Sequence, residues 1–162
     1  MKQLAILIAA FLTLTSCLDE TPRDRLPETE AYTSAADLYI NAVATLYTHI
    51  GGNAESEGLQ GTYRGVYDYN TFTTDEAMLP TRGGDWYDGG FWQALYRHEW
   101  TSADNSLYAT WSYLYKVIVL CNRSLARIEE NQALLTAEQK AAYEAEVRGI
   151  RAMYYYYLVD MF

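Results

Sequence analysis

The chain has 162 residues, 50% of them hydrophobic and 20% charged, which excludes intrinsic disorder, since disorder needs a scarcity of apolar residues. Twelve basic against 21 acidic residues give a net charge of −9. No Lys/Arg cluster of the kind that binds phosphate backbones is present, so no nucleic-acid partner is expected. Tyrosine is the outlier, 16 Tyr against 4 Phe with 4 Trp besides; its rings carry a polar tip that suits half-wet surfaces as well as a core.

Residues 1–16 read as an address. Lys2 supplies a positive start, and residues 4–14 are apolar apart from Thr13, a run too short to span a bilayer as a lasting helix. It ends Leu14-Thr15-Ser16-Cys17, which resembles the bacterial lipobox. That resemblance implies cleavage before Cys17 and acylation of its thiol and new amine, several chains that together anchor stably. Cys121 is then the remaining thiol; it lies in an apolar helical pattern and is expected to be a small buried hydrophobe. Residues 17–33 are polar, contain Pro22 and Pro27, and show no period, as a tether should. Asp19 and Glu20, just after Leu18, resemble the signal that exports lipoproteins to the outer face of the outer membrane in one Gram-negative phylum.

From residue 34 the expected class is mainly α. Ser34 followed by Asp37 is a capping box, and apolar residues recur at Tyr39, Val43, Leu46 and Ile50 until Gly51-Gly52 ends the pattern. The longest helix is predicted from Thr101 or Ser102 to about Glu130. Its stripe is Leu107, Trp111, Leu114, Ile118, Cys121, Leu125 and Ile128, at alternating steps of four and three. Asn131 can take the position just past its end. Thr136-x-x-Gln139 is a second capping box and opens the last helix, with the stripe Tyr143, Val147, Ile150, Tyr154 and Leu158. A short link between two long helices makes an antiparallel hairpin. Residues 154–162 are apolar on nearly every face, so they need cover that few upstream elements can supply. The chain is therefore expected to be the N-terminal part of a longer polypeptide.

Between Gly51 and Trp100 the periodicity fails, and a long glycine-punctuated loop rich in rings and charges is expected. Such a loop in a helical domain is more often functional than idle.

Cys17, the acidic pair, the proline-containing tether, Thr74-Asp75-Glu76, Trp111-x-x-Leu114-Tyr115 running to Cys121-Asn122-x-x-Leu125, and Ala145-Glu146-x-Arg148-x-x-Arg151-Ala152-x-Tyr154-Tyr155 form an ordered set. In that order they resemble the N-terminal third of the SusD/RagB family of surface glycan-binding lipoproteins. The resemblance implies tetratricopeptide-like helix pairs as scaffold and irregular segments as the glycan face. It also implies a partner, a SusC-like TonB-dependent outer-membrane transporter that receives the oligosaccharide. In the founding member an Arg of a Gly-aromatic-Tyr-Arg stretch touches sugar, and Gly61-Thr62-Tyr63-Arg64 matches it. The family's stacking Trp after Thr-Asp-Glu is missing; Pro80, Thr81 and Arg82 stand there, and Trp86 is the nearest substitute. Starch specificity is therefore not carried over.

Three functions compete. A non-catalytic glycan binder would use aromatic rings for the CH faces of sugars and planar polar groups for their hydroxyls; Arg64, Asp75, Arg82, Asp85, Trp86 and Tyr87 supply these. Against this, Trp86 could pack under the loop, and Arg82 with Asp85 could be a local ion pair. Asp75 and Glu76 are expected to cap or brace the loop. A polysaccharide hydrolase would need two carboxylates about 5–10 Å apart across a cleft, for which Asp75, Glu76, Asp85 and Asp88 are the candidates, but no pattern fixes a pair. No nucleophile, metalloprotease or phosphate-loop motif occurs. His49 and His98 stand alone, so no metal or other cofactor is expected. A tetratricopeptide-like protein-binding adaptor would explain the helix stripes but leave the aromatic loop without a purpose.

Overall fold

The computed structural model describes residues 31–51, 58–59 and 65–162; Cys17, the tether and Arg64 lie outside them. The chain divides into two units, Met1–Thr33 and Ser34–Phe162. The second unit is mainly helical, as the sequence predicts, with no strand among the described residues.

The first rod is continuous but changes pitch: α1 (Ala35–Leu38), a π-helical stretch (Tyr39–Ala44), then α2 (Thr45–Gly51). Ser34 caps it in extended backbone, its hydroxyl oxygen accepting from the Asp37 N–H at 3.1 Å. Asp37 answers differently from a full capping box, its carboxylate accepting from the Ser34 hydroxyl at 2.8 Å. Val43 and Leu46 are buried and Tyr39 and Ile50 half-buried, as the spacing predicts; Leu38 and Ala42 join them. The π stretch has no signature in the sequence pattern.

Two short helices follow, α3 (Val66–Phe72) and α4 (Phe91–Tyr96). They correct the expectation of a single unbroken irregular segment from Gly51 to Trp100. Each spans two turns at most, too short for a hydrophobic period to be read.

The long hairpin is α5 (Asn105–Glu130) and α6 (Ala137–Met161), joined through a 3₁₀ turn (Gln132–Leu134). It is antiparallel: Glu129 meets Lys140 at 2.6 Å, Asn122 meets Arg151 at 2.7 Å, and the Tyr113 and Tyr154 hydroxyls lie 3.0 Å apart. The Thr136 box forms as predicted, Thr136 Oγ1 accepting from the Gln139 N–H and Gln139 Oε1 from the Thr136 N–H. The start of α5 is a correction. It begins at Asn105, because the Asp104 carboxylate turns back to accept from the Thr101 N–H at 2.6 Å and so holds a turn ahead of the helix. At the other end Asn131 is the cap, with a negative φ of −106°, and its side-chain amide donates to the Arg127 carbonyl.

The main core joins this hairpin to the first rod. Leu114, Ile118, Cys121 and Ile128 of the predicted α5 stripe are buried, as are Val147, Ile150, Tyr154 and Leu158 of the α6 stripe. Trp111 departs from its stripe: it is 41% exposed, packed on Tyr115 and edge-on to Phe162. Burial pushes the Cys121 thiol up from its ordinary pKa. The Tyr154 hydroxyl is pushed up too, chiefly by burial and then by its bond with Tyr113. Tyr113 in turn donates to the His49 carbonyl, tying α2, α5 and α6 at one point.

A second tie is polar. The hydroxyls of Tyr39 and Tyr47 both donate to Glu146 Oε1, at 3.0 and 2.5 Å. A phenolate could not donate, so this bond raises the pKa of both, Tyr47 to about 12. At the end of α6, Tyr155, Tyr156, Val159 and Phe162 remain exposed; the described elements cover only one side of this all-round apolar stretch, as the sequence predicts.

Candidate functional site

The irregular segment is built outward from Trp92. This ring is 1% exposed and meets Phe72 and Phe91 edge-on, each at 5.1 Å. With Tyr69 and Leu95 it forms a second, smaller core between α3 and α4, to which Leu79 and Leu107 contribute. A buried indole needs a partner for its N–H. Trp92 Nε1 donates to Asp88 Oδ2 at 2.7 Å, which fixes the backbone just before α4.

Two further bonds hold the loop down. Gln93 Nε2 donates to Thr81 Oγ1 at 2.5 Å, and the Gly90 N–H to the Tyr87 carbonyl at 2.7 Å. Between these anchors Arg82 and Asp85 form a four-residue turn, closed by Asp85 N–H to the Arg82 carbonyl at 3.0 Å and the reverse bond at 3.4 Å. Gly83 takes the positive φ of 64° that this turn requires. Trp86 and Asp88 also sit at positive φ, 56° and 43°. That conformation is costly for non-glycine residues, and for a bulky one it marks a place worth a functional hypothesis.

Of the predicted site residues, Arg82, Asp85, Trp86 and Tyr87 are brought together on this turn, and all four are exposed. Trp86 is 50% exposed rather than packed under the loop; one side approaches Trp92, with ring centroids 6.4 Å apart. Arg82 and Asp85 are joined through their backbones, and among the described residues their side chains form no ion pair with each other. Arg64, the remaining predicted contact, lies outside the described residues. Asp75 is exposed, and the bracing expected of Asp75-Glu76 comes instead from Thr74, whose Oγ1 accepts from the Glu76 N–H and donates to the Thr71 carbonyl.

Asp88 is committed to Trp92, which removes it from the loose acidic group that a hydrolase would draw on. Among the described residues no cluster of three or more His, Cys, Asp or Glu is arranged for a metal. His98 bonds the Thr73 carbonyl at 2.6 Å and packs at a tilt against Trp100, with ring centroids 5.0 Å apart.

Sequence reasoning missed Trp92 and Gln93. Trp92 and Trp86 both follow glycine-rich stretches, and nothing local tells the buried ring from the exposed one. Gln93 Oε1 is buried beneath the loop with no hydrogen-bond partner among the described residues. Chemically, the turn offers an aromatic face, a guanidinium and a carboxylate within a few residues, above the anchored Trp92 core. No helix among the described residues is long and apolar enough to cross a membrane.

Compared with known protein families, with curated proteins and with solved structures, the chain matches none.

Proposed function

We propose that this is a surface lipoprotein of the SusD/RagB type, anchored through Cys17 in the outer membrane and facing outward. In this reading it binds glycan without catalysis and passes oligosaccharide to a SusC-like TonB-dependent transporter, on a tetratricopeptide-like helical scaffold. The observation that carries it is the half-exposed Trp86 ring, held at an unfavourable φ beside Arg82 and Asp85. Sugars need an aromatic face for their CH groups and planar donors and acceptors for their hydroxyls, and all three occur on that one turn. Trp86 differs from the other half-exposed tryptophans, Trp100 and Trp111, in its positive φ.

Retention on immobilised polysaccharides tests it. Trp86→Ala should abolish retention of the purified protein on every glycan that holds the parent chain, with the melting temperature unchanged. Retention by the Trp86→Ala protein equal to the parent's would refute the site. New reducing ends on incubation with oligosaccharide would refute the non-catalytic part.

A protein-binding adaptor is the second reading, favoured by the exposed rings of Tyr108, Trp111, Tyr115 and Phe162 along one side of the hairpin. It predicts that Trp86→Ala leaves the glycan profile unchanged while Trp111→Ala loses a protein partner.

A further inference from the structure

We propose that the cleft between the end of α2, the start of α3 and α6 is a second carbohydrate contact, taking one neutral sugar ring, with Tyr67 and Tyr157 as walls and Asn70 as its hydrogen-bonding group. It rests on the glycan reading for the class of ligand, but on different residues from the Trp86 turn.

The cleft holds about 280 Å³, at the low end of small-ligand sites, which run to roughly 300–1,000 Å³. A space of that order suits a single ring and not a buried oligosaccharide. Its floor is apolar: Leu59 and Val66 are buried, and Met153 of α6 is half-buried. The frame is stitched by backbone bonds. The Leu59 N–H donates to the Ile50 carbonyl at 3.1 Å and the Tyr67 N–H to the Leu59 carbonyl at 3.2 Å. A site held this way before the ligand arrives loses little entropy on binding.

The rim is polar and unengaged. Tyr67 is 60% exposed, Asn70 is exposed and Tyr157 half-buried. Among the described residues neither tyrosine hydroxyl nor the Asn70 amide makes a hydrogen bond. An apolar floor beneath an exposed amide and two phenols matches a ligand with one CH face and a hydroxyl edge. The lining among the described residues, Ile50, Leu59, Val66, Tyr67, Asn70, Met153 and Tyr157, is uncharged, as suits a neutral ligand.

Methionine methyl and tryptophan indole NMR on the full chain test this and separate it from the Trp86 site. Met153 reports on the cleft, and the indole N–H of Trp86, itself 50% exposed, reports on the turn. Glucose, galactose, mannose, xylose and N-acetylglucosamine are titrated singly, then the oligosaccharides retained by the protein. At least one single sugar should move the Met153 signal saturably with a Kd in the millimolar range, and Asn70→Ala should weaken that response about tenfold, the most that one neutral hydrogen bond accounts for. Tyr67→Ala, at an exposed position that the fold does not need, should weaken it as well.

A Met153 signal unmoved by every sugar overturns the cleft. If the Trp86 indole signal moves under an oligosaccharide in that case, the Trp86 reading stands without it. Movement of Met153 alone supports the cleft and counts against the turn, and silence of both signals refutes both. A response to butanol as tight as that to any sugar, or one untouched by Asn70→Ala, overturns the carbohydrate assignment.

Discussion

The α5–α6 hairpin and the segment from residue 73 to 96 reach order by opposite routes. In the hairpin, buried residues recur along α5 from Thr110 to Ile128 and along α6 from Val147 to Leu158, and each large side chain contributes roughly 1.5–3 kcal/mol, so the pairing is set many times over. In the segment, one buried indole, its bond to Asp88 and the Gln93–Thr81 bond hold an otherwise irregular stretch of chain. Redundancy makes the hairpin a scaffold. The lack of it lets the segment keep Trp86 exposed at a strained φ, because a few strong anchors can hold a conformation that local propensity disfavours.

The sharpest way to break this contrast is to remove one anchor from each side. Tyr154→Ala empties a fully buried site and severs its bond to Tyr113. It should cost roughly 3–5 kcal/mol in urea denaturation, whereas Tyr154→Phe, which keeps the ring, should cost about 1 kcal/mol. Equal losses would mean that the hydroxyl network, and not packing, holds the hairpin.

Asp88→Ala attacks the other side. It leaves the buried Trp92 indole without its acceptor, worth roughly 1.5–3 kcal/mol for a bond to a charged group. The expected loss is local: hydrogen exchange should quicken through residues 81–93 while α5 and α6 stay protected, and glycan retention should fall with it. Uniform loss of protection in both regions would show that the two cores melt as one and that the contrast is false.

Alkaline pH probes the polar tie between α6 and the first rod. Tyr47 in the folded chain ionises at about 12, raised by its bond to Glu146, and Tyr39 is raised by the same carboxylate. Unfolded tyrosines ionise near about 10. A folded pKa above the unfolded one gives stabilisation that is complete below the unfolded value and lost as pH rises through the folded value. The melting temperature should therefore hold to about pH 10 and decline from there toward 12. The double variant Tyr39→Phe, Tyr47→Phe should show a shallower decline, the remainder coming from Tyr154, whose pKa is raised by burial. An equally steep fall in the double variant would locate the titration elsewhere.

The smallest effect concerns Cys121. Fully buried, with its thiol pKa pushed up, it should react with a thiol reagent only at the rate of global unfolding. Labelling faster than the hairpin's slowest-exchanging amides would reveal local opening of α5.

Both long helices were legible because they repeat. Leu114, Ile118, Cys121, Leu125 and Ile128 fall at steps of four and three, and all but the half-buried Leu125 are buried; Thr136 and Gln139 carry their cap in their own side chains. Trp111 sits on the same stripe and yet is exposed, since the stripe names the side facing a neighbour and not how far that neighbour reaches. Val117, off the stripe, is buried in the core it shares with Val43 and Leu46 of the first rod, which widens the covered arc. The short helices α3 and α4 have too few residues to show a period at all.

The candidate site divides the same way. Its residue types, and the placing of Arg82, Asp85, Trp86 and Tyr87 within one glycine-marked turn, belong to the sequence alone, because neighbours in a tight turn cannot be far apart. Which of two tryptophans faces water was decided only by tertiary structure. Trp92 has an acceptor at one turn's distance in Asp88 and two phenylalanine edges to receive it, and Trp86 has neither. The cleft beside Tyr67 is likewise invisible in one dimension: its walls come from residues 50, 59, 66–70 and 153–157, and only packing α6 against the start of α3 creates the space between them.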